Sequence, residues 1–229
     1  MIPWVHLDTA TMPGGGGDLR LMQRGHEFSI MAEGGIELMN SRLFGSEVAL
    51  AELAAQALAG RAAPRVLVGG LGMGFTLRAA QASLPADASI VVAELVPAVV
   101  DWARGPMAVV HGDSLSDPRV TVRLGDVAGA IADGAEPGRG WDAILLDVDN
   151  GPEGLTRRAN DRLYDAAGLS AARAALTPGG VLGVWSSAQH PAFTNRLRRA
   201  AFEVAEHRVK PRAGRRKASH VVWLARRPG

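Results

Sequence analysis

The 229-residue chain is 47% hydrophobic and 21% charged, with a formal net charge of +2, 28 Gly, 13 Pro and no Cys. That is the composition of an ordinary globular protein, long enough for one large domain. It excludes disulfides, thiolate metal sites and a cysteine nucleophile, and no apolar run approaches the roughly 20 residues that cross a bilayer.

The N-terminal "MIPWVHLDTATMPGGGGDL" has no basic stretch leading into an apolar core, so no signal peptide is expected, and the default location is the cytoplasm. The glycine run at 13–18 predicts a flexible, poorly ordered entry over residues 1–18. Two short segments, "LRLMQRG" and "HEFSIMAEGG", read as a β-hairpin, and with "IELMNS" they form a small β element at 19–45. "SEVALAELAAQALAG" (46–60), rich in Ala, Leu and Glu and stopped by Gly, predicts a helix.

From Pro64 the rhythm changes to short apolar strands alternating with helical segments. Strands are expected at 65–70, 89–95, 120–126, 141–149 and 180–187. Their continuous β-branched runs suit a parallel sheet covered on both faces. "GFTLRAAQAS", "PAVVDWARG", "VAGAIADG" and "LYDAAGLSAARAAL" are the crossover helices. Segments 202–209 and 219–227 read as an antiparallel hairpin at the sheet's end. The fold class expected is α/β: a doubly wound, mostly parallel seven-stranded sheet of Rossmann-like type over 46–229, with the small β element in front.

Charge is distributed unevenly. From Asn195 onward 11 Lys and Arg face only Glu203 and Glu206, a local balance of +9 that leaves −7 on the rest. Such asymmetry raises nucleic acid as a partner, but a solvated arginine-rich surface explains it better, given the few aromatics available for stacking on bases.

The chemistry gathers at the strand ends. "VLVGGLGMGFTLRAA" runs a strand into Gly69, Gly70, Gly72 and Gly74 and then a helix. Glycines let the backbone turn tightly and approach a ligand beside a helix N-terminus. A dinucleotide fingerprint from Gly70 needs a small residue at position 75, where Phe75 stands, so a nucleoside without a pyrophosphate fits better than NAD. The second strand ends at Glu94, placed to accept ribose hydroxyls, and the third at Asp126, placed to accept from an adenine amino group. The fourth, "AILLDVDNGPEG", ends in Asp147, Asp149 and Asn150. Asp147 and Asp149 share a face if that strand continues, whereas a turn would engage Asp149 and Asn150 in backbone bonds instead. Four strand ends with polar or glycine signals open on one crevice of an open α/β sheet.

In this order, "LVGGLGMG", "AEL", "LGDV", "ILLDVDNGP", "LYDAAGL" and "LTPGGVLGVWS" resemble the spermidine synthase-like (polyamine aminopropyltransferase-like) branch of the S-adenosylmethionine-dependent transferase fold. The likeness starts near Leu19 and includes "EFSIMAEGGIELMNSRLFGSEVALAELAA". It implies that the glycine loop, Glu94, Asp126 and Asp147 line a site for S-adenosylmethionine or its decarboxylated form as co-substrate, and that the protein is a homodimer. It also implies Asp147 as a catalytic acid and sets Asn150, Glu47 and Tyr164 at acceptor-site positions; Asp149, an extra acid in the same loop, is a second catalytic candidate, and Gln189, on the loop after the fifth strand, is placed to touch an acceptor.

The chain departs from that pattern where the acceptor amine is held. Gly72 replaces an aspartate, Asn150 replaces the second acid of a two-aspartate loop, and Ser46-Glu47 replaces a tyrosine followed by His or Gln. A polycation needs several carboxylates, which Asp149, Glu47 or Glu37 would have to supply. Aminopropyl transfer to an unassigned small-molecule acceptor is the leading expectation. Methyl transfer to a small molecule is next, then methyl transfer to nucleic acid, then a non-catalytic nucleoside-binding relative. The six His show no ligand spacing, so no metal is expected. His190 beside Gln189 is a weaker candidate at the same edge.

Overall fold

The computed structural model describes residues 2–148, 151–152, 158–210 and 220–229, and two sheets form among them. The first is antiparallel, in the order β1 (Val5–Thr11), β2 (Asp18–Arg24), β3 (Glu27–Met31), β4 (Glu37–Asn40). It has four strands rather than a hairpin, and its first strand lies inside the segment that the glycine run led us to expect as flexible. The reason is long-range. β1 pairs with β2 along its length, and the Trp102 indole N–H donates to Asp8 at 2.6 Å, fastening β1 to the larger unit. Glycine composition reports local freedom and is blind to both bonds.

α1 (Gly45–Ala57) leads into the second sheet. Here β5 (Arg65–Gly69), β6 (Ser89–Glu94), β7 (Val120–Leu124), β8 (Trp141–Leu146) and β9 (Leu176–Ser186) are parallel. β10 (Glu203–Val209) and β11 (His220–Arg226) return antiparallel, giving the order β10-β11-β9-β8-β5-β6-β7. The expected doubly wound, mostly parallel seven-stranded sheet is therefore what forms.

The connections are helical: α2 (Phe75–Ser83), α3 (Pro97–Arg104) with α4 (Ala108–His111), α5 (Val127–Gly134), and α6 (Arg158–Tyr164) with α7 (Ala166–Ala175). The single helix expected around "LYDAAGLSAARAAL" is two, because Asp165 leaves the helix and its side chain caps α7 by accepting from Gly168 N at 2.8 Å. α8 (Pro191–Arg199), which follows β9, was not foreseen.

Strand order reverses at β5, whose neighbours are β8 on one side and β6 on the other. Loops after β5, β6, β7 and β8 thus open on one crevice, the place where open α/β sheets hold ligands. Each face of the sheet has its own core. On one, Leu50 of α1, Leu77 of α2 and Val99 of α3 pack with Leu21, Phe28 and Ile30 of the small sheet, which thereby becomes continuous with the main core. On the other, Trp141, Tyr164, Phe193 and Trp223 pack together, with Phe193 edge-on to both Tyr164 and Trp223.

Leu50 is completely buried and anchors α1 over β9, where its methyl faces the close pass at Gly183. Leu50→Ala should cost about 2–5 kcal/mol of unfolding free energy, because the rigid sheet cannot close over the lost methyls. Urea unfolding would show a lower midpoint with an unchanged slope.

Candidate functional site

A cavity of about 320 Å³ opens above the C-terminal ends of β5 to β8, with the small sheet as its roof. Gly70, Gly72 and Gly74 form one wall, and all three have positive φ (88°, 49° and 77°). At Gly70 a Cβ would stand 2.7 Å from the Asp147 carbonyl oxygen, and at Gly74 one would stand 2.5 Å from the His111 ring. These positions require glycine for both conformation and space.

Glu94, 7% exposed, turns back to the loop and accepts from Leu71 N at 2.8 Å and Val96 N at 2.9 Å. Burial raises its pKa, and these backbone N–H groups oppose the rise. Asp126 borders the same cavity and caps α5, accepting from Ala128 N at 2.9 Å. Asp147 lies just past β8 and accepts from the Thr76 hydroxyl at 2.6 Å. Its carboxyl is pushed up to about 6 by desolvation, with Thr76 opposing.

The fourth carboxylate is Glu47, in the first turn of α1. Burial and then the charge of Asp147 raise its pKa to about 7, and the Ser46 hydroxyl, donating at 2.6 Å, opposes the rise. Ser46 Oγ also lies 2.8 Å from His220 Nδ1. Since the serine proton is given to Glu47, His220 is the donor in that bond, in keeping with a neutral ring whose pKa burial lowers. Trp185 stands edge-on to His220 with ring centroids 5.0 Å apart. Its indole N–H is buried beside the cavity with no acceptor among the described residues.

The remaining walls are apolar, with Met12, Leu19, Leu38, Met39 and Leu43 from the roof side and Phe75, Val96 and Val99 from the main domain. No Lys or Arg lines the cavity among the described residues, and there no group of three or more His, Asp or Glu is placed to hold a metal ion.

Of the residues singled out from the sequence, Gly70, Gly72, Gly74, Glu94, Asp126, Asp147 and Glu47 meet at this cavity. Three candidates do not. Tyr164 is 1% exposed in the opposite core, its hydroxyl 3.4 Å from the Val148 carbonyl. Gln189 lies outside the cavity lining, donating to Glu206 of β10 at 2.7 Å and accepting from Arg208 at 3.0 Å. Glu37 is held by Arg42 at 2.9 Å and by Ser29 at 2.7 Å, outside the cavity lining. Asp149 and Asn150 lie outside the described residues; β8 ends at Leu146.

Thr76, His220 and Trp185 were not anticipated, nor was the pairing of Ser46 with His220. Ser46 and His220 are 174 positions apart, and no local spacing signals such a pair.

This geometry, a glycine loop and acid-tipped strands around a cavity at the reversal of strand order, defines a doubly wound, Rossmann-like ligand-binding fold. No family model matches the chain. It is 27% identical over 198 residues to the polyamine aminopropyltransferases of Mycobacterium tuberculosis (strains CDC 1551 and H37Rv) and Mycobacterium bovis. The match covers 84% of this chain and 36% of those relatives, so the chain spans little more than a third of their length. Among solved structures it is similar to a spermidine synthase in complex with the transition state analogue AdoDATO, with TM-score 0.72, 15% identity, and coverage of 97% of this chain and 72% of that one. Spermidine synthase from Thermotoga maritima gives the same score and coverage at 14% identity. Human methyltransferase-like protein 13 in complex with SAH gives TM-score 0.56 at 22% identity, covering 77% of this chain and 78% of that one. The resemblance to the spermidine synthase-like branch is borne out, in sequence similarity and in fold.

Glu47 and Asp147 bind protons more tightly folded than unfolded, their pKa values moving from 4.5 and 3.8 to about 7 and about 6. Raised acids favour the folded state at low pH, and that contribution is lost as pH climbs from about 4 through 7. Glu47→Gln removes one of them. Relative to wild type it should gain on the order of 1–2 kcal/mol between pH 5 and pH 8, allowing for solvent screening. Urea unfolding of both proteins at the two pH values measures the gain.

Proposed function

We propose that the chain is a transferase that moves an alkyl group, aminopropyl in the leading reading, from a sulfonium nucleoside to a small-molecule nucleophile. One observation carries this reading: four carboxylates converge on a nucleoside-sized, largely apolar cavity that no Lys or Arg lines among the described residues. Such a site disfavours phosphate and favours a cationic ligand. A sulfonium nucleoside is cationic, and when bound it supplies a carbon already activated for displacement.

The chain's own residues then have distinct tasks. In this reading the glycine loop brings backbone against the nucleoside; Glu94, each of whose oxygens already accepts one backbone N–H, keeps further lone pairs for ribose hydroxyls, and Asp126 at the cavity border accepts from the adenine amino group. Phe75, Val96 and Val99 offer apolar surface to the base. Asp147 stands at the reacting end, where its raised pKa suits a group that takes a proton near neutrality. The roof and the apolar walls exclude water, so positioning does most of the work.

The decarboxylated donor fits better than S-adenosylmethionine itself, because a donor carboxylate would enter a site already acidic, with no Lys or Arg lining it among the described residues. Methyl transfer is the second reading, and Gly72 favours it. A Cβ there would meet the Met39 sulfur at 2.9 Å, so this part of the wall presents a thioether instead of an acid for a propylamine.

Calorimetric titration of wild type and Asp147→Ala with both nucleosides tests the proposal. Wild type should bind the decarboxylated form at least about tenfold more tightly, and Asp147→Ala should weaken it by roughly tenfold. Preference for S-adenosylmethionine would move the assignment to methyl transfer, and binding of neither would remove the donor pocket.

A further inference from the structure

A line of hydrogen bonds runs back from Glu47 at the cavity. Ser46 Oγ lies 2.6 Å from Glu47 Oε2 and 2.8 Å from His220 Nδ1, joining the start of α1 to the start of β11. Ser46 is fully buried, and the Trp185 ring stands perpendicular to the imidazole at 5.0 Å, which restrains the imidazole's rotation. The two groups behind Glu47 share one property. A hydroxyl and an imidazole can each donate or accept, whereas an ammonium or a guanidinium can only donate.

The line can therefore run in either direction. With Glu47 ionised, Ser46 donates to the carboxylate and His220 donates from Nδ1 to Ser46. With Glu47 protonated, the carboxyl donates to Ser46, Ser46 donates to a bare Nδ1, and the ring proton sits on Nε2. Both contacts are kept in both states, so this buried acid changes charge without orphaning a donor or an acceptor in the line.

Resting on the transferase reading above, we infer that Ser46 and His220 are positioning residues that let Glu47 give up its proton when the sulfonium donor enters, the His220 tautomer reversing as it does so. The Glu47 proton passes to Ser46 Oγ, the Ser46 proton to His220 Nδ1, and the Nε2 proton leaves to water from a residue that is only part-buried. Glu47 ends as a carboxylate facing the cation, Ser46 as a hydroxyl, and His220 as a neutral ring protonated on Nδ1.

The electrostatics suit this exchange. Among the described residues the titratable groups lining the cavity are Glu47, Asp147, Glu94, Asp126 and His220. Burial and then the Asp147 charge raise Glu47 to about 7, so near neutrality it holds its proton about half the time. Burial lowers His220, which favours a neutral ring that changes tautomer over one that gains charge.

The test reads the two His220 ring nitrogens by NMR of the full chain across neutrality, their signals assigned by loss in His220→Gln. In wild type the proton should sit on Nε2 at low pH and on Nδ1 at high pH, crossing over with Glu47 at about pH 7. Ser46→Ala and Glu47→Gln should each fix one tautomer. Asp147→Asn should move the crossover roughly one unit lower, because it removes the like charge that raises Glu47. One tautomer throughout in wild type, a ring doubly protonated at the crossover, or a switch that survives Ser46→Ala overturns the inference. Calorimetric titration with decarboxylated S-adenosylmethionine near neutrality, in two buffers of different ionisation enthalpy, then counts protons. Wild type should release about half a proton per donor bound and Glu47→Gln distinctly less, and equal release overturns the inference too. Failure of wild type to bind that donor removes the transferase reading instead, while the tautomer, read on the free protein, still decides the hydrogen-bond line. If Ser46→Ala does not fold, Glu47→Gln and the Asp147→Asn shift decide.

Discussion

The site depends on how closely two backbones approach at the crest of the sheet. Gly70 passes so near the Asp147 carbonyl that a Cβ would stand 2.7 Å from it. The same crest is laced by Gly70 N to Ala93 O, Asp147 N to Gly69 O and Gly125 N to Glu94 O, at 2.9, 3.2 and 2.8 Å. These bonds hold the ends of β5, β6, β7 and β8 in one plane. Each loop that leaves the plane begins from a fixed point, so acids far apart in the chain arrive at one cavity with little freedom left.

That convergence has an electrostatic cost. Four carboxylates share a space with no Lys or Arg among the described residues, and burial raises three of them, Glu47, Asp147 and Glu94. Each is partly compensated by neutral donors, the hydroxyls of Ser46 and Thr76 and the backbone N–H groups of Leu71 and Val96. Neutral donors soften the desolvation cost without cancelling the charge. The cavity is therefore left electron-rich and suited to a cation, which is what the proposed sulfonium donor is.

The small sheet is more than an appendage. Met12, Leu19, Leu38 and Met39 complete the cavity from above, and Leu21, Phe28 and Ile30 belong to the same core as α1 and α2. α1 couples roof to site, since its buried face holds Leu50 against the sheet while its first turn carries Ser46 and Glu47. A helix fixed at one point by packing thus places a carboxylate at another.

The order of the parallel strands, the glycine loop and the acids that follow β6, β7 and β8 were legible in the sequence. Strand periodicity and glycine spacing are local properties, and the right-handed crossover rule then puts every strand end on one edge. Tertiary structure alone decided which of the remaining polar residues reach the cavity. It brought Ser46 to His220 across 174 positions and set Trp185 against that histidine. It sent Tyr164 into the opposite core and Gln189 to the edge of the sheet. It also recruited β1 from a stretch that composition marks as loose, because strand pairing with β2 and the bond from Trp102 to Asp8 outweigh glycine's local freedom. Chain spacing specifies which face a side chain takes on its own element, and only packing between elements specifies what that face meets.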